Sequence, residues 1–153
     1  MADLTRLQII QIIATAGKGV VLRGVNLEGV DLRGLDFSEA NLVMVNLKSA
    51  NLHQACLEKA DLYHANLQYA DLSEAYLSEA KLRYTSMAGV DLRAAALRKA
   101  DLTSADLRGA NLRGADLRGA NFWHADLDDA NLVYANIEGA KGLPVDIDER
   151  IKG

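Results

Sequence analysis

Cysteine, proline and phenylalanine are scarce: the 153 residues hold one Cys, one Pro and two Phe. A single Cys excludes an internal disulfide framework and a cysteine-based zinc site. Positive charge is also in deficit. Lys plus Arg number 17 against 21 Asp plus Glu, a formal charge of -4. Direct nucleic-acid binding, which needs a dominant basic surface, is therefore not expected. No run approaches the ~18 to 20 apolar residues of a membrane-spanning helix, so no membrane partner is expected either. What the chain has is Leu and Ala, in a length that suits one domain with a continuous core.

Their spacing is regular. Every fifth residue from Leu22 to Ile137 is large and apolar, and of these 24 positions only Phe37, Met87, Phe122 and Ile137 are not Leu. Two residues before each stands Ala at 17 of 24 positions and Val at five, and between the two stands Asn or Asp at 18 of 24. A period of five suits neither ordinary element. Five residues of α-helix turn about 500°, which carries successive Leu around the whole surface. On a flat strand an odd period flips successive Leu to opposite faces. The apolar gaps alternate two and three, as in Ala40, Leu42, Val45, Leu47. A gap of two is one short extended side, and a gap of three requires a corner. The chain therefore winds as a solenoid with a Leu and Ala interior. Cys56, Tyr76 and Ala96 break the Asn/Asp position at intervals of twenty, which hints at four sides per coil.

The run Ala60-Asp61-Leu62-Tyr63-His64-Ala65-Asn66-Leu67-Gln68-Tyr69-Ala70-Asp71-Leu72 resembles the pentapeptide repeat protein family, in a bacterial form of cyanobacterial type. The resemblance implies an all-β solenoid: a right-handed quadrilateral β-helix of about six coils, with an N-terminal α-helical cap. It also implies that Ala is kept at the second inward position because the square interior is narrow.

A solenoid must cover its ends. Residues 1-19 are expected to form the capping helix, 20-140 the β-helix, and 141-153 a short C-terminal cap or tail. In the first segment Asp3 is a plausible N-cap and Gly17 a stop, with Leu4, Leu7, Ile10 and Ile13 at helical spacing. A signal peptide cut after Ala14-Thr15-Ala16 is the rival; Asp3, Gln8 and Gln11 disfavour it, and the expected location is cytoplasmic. At the other end Gly142-Leu143-Pro144 breaks the pattern, and a short helix could fold Leu143, Val145 and Ile147 over the last coil. This tail is also a candidate dimer contact, leaving a monomer or a homodimer through an end cap.

No catalytic residue, cofactor or metal ligand stands out. A rod offers no cleft, and His64 and His124 fall three coils apart, ~14 Å, too far to share a metal. No Ser-His-Asp constellation is visible along the chain. Asp interchanges with neutral Asn, so the shared property is a hydrogen bond to turn backbone rather than metal binding. Gly24, Gly29, Gly34, Gly109, Gly114 and Gly119 fall at corners, where turns favour Gly. Arg93, Arg98, Arg108, Arg113 and Arg118 form a basic cluster that Asp91, Asp101, Asp106 and Asp116 would offset. The chain is not expected to be an enzyme.

The corner residues vary. One face, taken by residue number modulo twenty, gathers Met44, Tyr63, His64, Arg83, Tyr84, Trp123 and His124. Aromatics with Arg on a flat surface are typical of binding hot spots. The function expected is a structural or protein-interaction module that offers this face to a protein partner. The alternative, implied only by the resemblance, is a DNA mimic that binds a type II topoisomerase such as gyrase. The net charge of residues 20-140, 12 basic against 17 acidic or -5, is modest for such a role.

Overall fold

The computed structural model describes residues 2-147 and 151-152. Parallel bridges join each Asn/Asp-position residue to the one twenty further on, from Val21 with Asn41 to Asn121 with Lys141. Four repeats thus close one turn, and the chain is a right-handed quadrilateral β-helix. The twenty-residue hint was sound: Cys56 bridges Tyr76, and Tyr76 bridges Ala96. Taken in blocks of twenty from Val20, coils 1 to 6 span 20-39, 40-59, 60-79, 80-99, 100-119 and 120-139.

Each side is one short extended step, and each corner is a tight turn. At a corner the N-H two residues before the next Leu-position residue donates to the carbonyl of the previous one, as Ala40 does to Phe37 at 3.0 Å. The third turn residue has positive φ at all 24 corners, eight of them Gly and 16 not. That is the type II arrangement, which favours Gly at this position. The Asn or Asp before each Leu locks the corner. All 18 accept, through Oδ1, the N-H two residues on. Asn serves as well as Asp because only a carbonyl-type oxygen is needed.

The Leu columns fill the interior, with Leu32, Leu52, Leu72, Leu92 and Leu112 essentially inaccessible. Each contributes on the order of 1.5 to 3 kcal/mol. From coil 2 onward Ala lines the second inward position except at Val45, Thr85 and Val90, all buried. Coil 1 uses Val25, Val30 and Leu35 there, partly buried against the core.

The ends are covered by different means. α1 (Arg6–Ala16) is capped by Thr5, whose side chain accepts the Gln8 N-H while the Gln8 side chain accepts the Thr5 N-H. The N-cap is therefore Thr5 and not Asp3. Asp3 instead extends the solenoid edge: its N-H donates to the Asn26 carbonyl, and its carboxylate accepts the Asn26 N-H, both at 2.7 Å. Arg6 donates to two further edge carbonyls, Asp31 at 2.8 Å and Arg33 at 3.0 Å. Gly17 ends the helix as expected, its N-H reaching Ile13 at 2.9 Å. The inward face is not the one the spacing suggested. Ile9 is the buried contact, with Leu4, Ile12 and Ile13 beside it, while Leu7 and Ile10 face outward. α1 is apolar on more than one face, so periodicity alone does not choose.

At the far end Leu143, Ile147 and Ile151 pack against the core, whereas Val145 is fully exposed. This corrects the expected trio. The Tyr134 N-H donates to the Ile151 carbonyl at 2.9 Å. Gly142 crosses so close to the last coil that a Cβ there would lie 2.7 Å from the Phe122 carbonyl carbon.

Candidate protein-binding face

Numbered in chain order, the four corners of a coil carry residues such as 63/64, 68/69, 73/74 and 78/79. The first corner stacks Met44, then Tyr63 and His64, then Arg83 and Tyr84. Thr103 and Ser104 come next, followed by Trp123 and His124. The twenty-residue register brings four of the expected residues together. Tyr63 meets His64 edge-on at 4.4 Å between ring centroids and Tyr84 at 5.6 Å. His64 stacks on Tyr84 at 5.3 Å. The Arg83 guanidinium lies 5.8 Å from the Tyr84 ring centre, within cation–π range. Trp123 and His124 form a separate pair with centroids 6.4 Å apart. The half-exposed Thr103 and Ser104 divide the two groups. Met44 stands one coil above Tyr63 and is exposed.

None of these rings fills the core, and Trp123 keeps 55% of its surface in solvent. Exposed aromatics in mutual contact form a surface that loses little side-chain freedom on binding and removes apolar area from water when covered.

The arginines are mostly engaged. Where a repeat reads Asp-Leu-Arg, the guanidinium folds back on its own Asp: Arg33 on Asp31 at 2.7 Å, Arg93 on Asp91 at 2.5 Å, Arg108 on Asp106 at 2.8 Å and Arg118 on Asp116 at 2.6 Å. The Arg33, Arg108 and Arg118 side chains hold Asp31, Asp106 and Asp116 below the ordinary carboxylate range. At Asp91 partial burial pushes the other way, and the Arg93 hydrogen bonds outweigh it. Arg113 follows Asn111 instead and lies over the Tyr134 ring at 4.7 Å. The offsetting of the basic cluster was thus legible, except that Asp101 only approaches Arg83, at 3.9 Å.

One linkage was missed. His53 Nδ1 lies 2.9 Å from Ser73 Oγ, which donates to Asp71 Oδ1 at 2.6 Å. A Ser, a His and an Asp therefore do meet, twenty residues apart in register, and the modulo-twenty columns could have found the pair. The polarity is wrong for a nucleophile. The Ser73 proton goes to Asp71, so His53 must donate to Ser73 rather than accept from it. Cys56 sits half-buried with its Sγ 2.9 Å from Ser38 Oγ. Among the described residues no three His, Cys, Asp or Glu side chains converge as a metal site.

The rod is not wholly without concavity. An open depression of about 530 Å³ lies where the tail leaves the last coil, lined by His124, Ala125, Asp126, Leu127, Asp128, Gly142 and Pro144. No helix among the described residues is long and apolar enough to cross a membrane.

A family model for pentapeptide repeats matches in eight copies, over residues 18–54, 46–83, 55–93, 75–114 and 105–141. Among solved structures, a pentapeptide repeat protein from the thylakoid lumen of Arabidopsis thaliana is 29% identical, with a TM-score of 0.64 over 69% of this chain and 72% of that one. A pentapeptide repeat protein, Rfr23, from the cyanobacterium Cyanothece 51142 is 26% identical, with a TM-score of 0.38 over 89% of this chain and 96% of that one. QnrB1, a plasmid-mediated fluoroquinolone resistance protein in a trypsin-treated form, is 18% identical, with a TM-score of 0.49 over 90% of this chain and 73% of that one. No curated protein sequence matches.

Proposed function

The chain belongs to the pentapeptide repeat family, and from that premise we propose that it is a non-enzymatic protein-interaction module whose first corner anchors a protein partner. The observation that carries this reading is the cluster of Tyr63, His64, Arg83 and Tyr84, in mutual contact on the outside of a rod whose core needs none of them. Met44 extends the cluster upward, and Trp123 with His124 supplies a second anchor two coils below. A cytoplasmic setting belongs to the same proposal; fractionation of cells making the native protein tests it, and recovery in another compartment would remove it.

The DNA-mimic alternative calls for an array of free carboxylates, whereas Asp31, Asp91, Asp106 and Asp116 each pair with an Arg. That weighs against it.

The test is capture from native lysate with wild type and with a Tyr63→Ser/Tyr84→Ser/Trp123→Ser variant, both confirmed as folded. A protein held by wild type and lost by the variant supports the reading. Identical capture by both would move the site off this corner.

A further inference from the structure

The side between the first and second corners carries the bridged column Asn26, Asn46, Asn66, Ser86, Asp106 and Asp126. Its rungs in coils 2 to 4 are residues 43-49, 63-69 and 83-89. These three rungs contain no Asp or Glu, although the chain has 21. Their fixed charges are Lys48 and Arg83, both positive. Below them the coil 5 rung is balanced, Asp106 pairing with Arg108 at 2.8 Å, and the coil 6 rung turns acidic with Asp126, Asp128 and Asp129.

This panel has an aromatic rim at each long edge. The first corner supplies Tyr63, His64 and Tyr84. At the second corner Tyr69 lies over Gly89, where a Cβ would come within 2.7 Å of the ring. Gly89 thus lets the ring lie along the rod, and Tyr69 still keeps 65% of its surface exposed. The floor of the three rungs is neutral amide and hydroxyl; at its upper edge Asn46 Nδ2 donates to Asn26 Oδ1 at 2.9 Å and to Glu28 Oε2 at 3.4 Å.

Building on the proposed function, we infer that the partner contacts this whole panel, from the first corner across to Lys48 and Tyr69, and that it does so with an acidic, aromatic-bearing protein segment. Interface centres are depleted in Asp and Glu and enriched in Tyr, Met and Arg; the panel lacks the first pair and carries Met44, Tyr63, Tyr69, Arg83 and Tyr84. Charge decides the sign of the partner. On a chain of net charge -4, an acidic segment finds here three successive rungs without a carboxylate, with Lys48 and with Arg83, which Asp101 approaches to 3.9 Å; the competing basic rung, Arg93 to Lys99, lacks aromatic rings. A basic segment is drawn instead to the acidic rung of coil 6. Along this side, charge therefore favours an acidic partner at coils 2 to 4, and the aromatic rims distinguish the panel from the basic rung at residues 93-99.

The probe is a displayed library of short random peptides, selected on the wild-type protein at low salt. Three folded variants are then compared: Lys48→Glu/Tyr69→Ser at the second corner, the first-corner triple above, and Arg98→Glu/Lys99→Glu at the fourth corner as a control for total charge. The expected result is enrichment of acidic, aromatic-containing peptides. Their affinity should fall on the order of tenfold or more in the first two variants and little in the control. The difference between wild type and Lys48→Glu/Tyr69→Ser should shrink at high salt. Peptides that need Tyr63 and Tyr84 but tolerate Lys48→Glu/Tyr69→Ser would overturn the panel and leave the first corner as the site. Basic or uncharged peptides, no enrichment, or Tyr69-dependent binding of a neutral polysaccharide would overturn the acidic-segment assignment.

Discussion

Coils 1 and 3 share a Leu interior and differ at their corners. In coil 1 the left-handed corner residues are Gly24, Gly29, Gly34 and Glu39; in coil 3 they are His64, Tyr69, Glu74 and Glu79. Glycine meets a positive φ without strain but displays nothing. A residue with a Cβ held there costs about 1 to 2 kcal/mol. Coil 3 accepts that cost at every corner, and two of those positions, His64 and Tyr69, belong to the candidate surface. Met44, Tyr84 and His124 are likewise left-handed, at φ 59°, 57° and 62°. The candidate residues thus stand at positions where folding alone would favour Gly, a property they share with the other non-Gly corners, Glu74 and Glu79 among them. Coil 5 repeats the bare pattern with Gly109, Gly114 and Gly119.

The comparison makes three claims of decreasing size. The first is that both coils rest on the same interior. Leu72→Ala should cost roughly 2 to 5 kcal/mol in chemical denaturation, and Leu32→Ala a similar amount. A loss below about 0.5 kcal/mol for either would refute its inward placement. The second concerns the corners. Gly29→Ala should destabilise by about 1 to 2 kcal/mol from backbone strain alone, because a Cβ there meets nothing within 4 Å. The reverse change, Glu79→Gly, should be neutral or stabilising by up to about 1 kcal/mol, the relief of strain being offset by the entropy of a more flexible unfolded chain. If Glu79→Gly destabilises as much as Gly29→Ala, the two kinds of corner do not differ in strain.

The third and smallest claim is electrostatic and separates the Arg-paired coils from the rest. Asp31, Asp106 and Asp116 are held below their ordinary range by their arginines. In the unfolded chain these carboxylates take up protons near pH 3.9. Their contribution is therefore fully present above about pH 5 and declines as pH falls below about 4, toward the lowered folded values. Melting temperature should be flat from pH 7 to about 5 and then drop. An Asp106→Asn/Asp116→Asn variant should drop less steeply. These pairs are exposed, so the effect is modest; stability that rises on acidification through pH 4 would contradict it.

The fold was legible because one inward Leu in five admits few geometries, and Cys56, Tyr76 and Ala96 marked the coil length. The first-corner residues were legible for the same reason: once the register is twenty, Tyr63 and Tyr84 must be neighbours. The ends obey no register. Leu7, Ile9, Ile10, Ile12 and Ile13 offer α1 more than one apolar face, and only contact with coil 1 selects Ile9. Thr5 rather than Asp3 caps the helix because Asp3 is engaged with the Asn26 backbone. Val145 faces outward because the chain seats Leu143 and Ile147 on either side of it. The Tyr69 platform was hidden too, since it depends on Gly89, which a linear reading treats as one more corner glycine.

The closure of each coil at twenty residues sets a rule for how such a chain can change length. Deleting one pentapeptide preserves every local interaction of the repeats that remain, yet turns everything downstream by a quarter circle. Trp123 and His124 would leave the column of Tyr63 and Tyr84 for an adjacent one. Losing or gaining a whole coil only slides them along it. Tolerated length variation should therefore come in steps of twenty between coils 3 and 6, and in any multiple of five where no surface has to stay aligned.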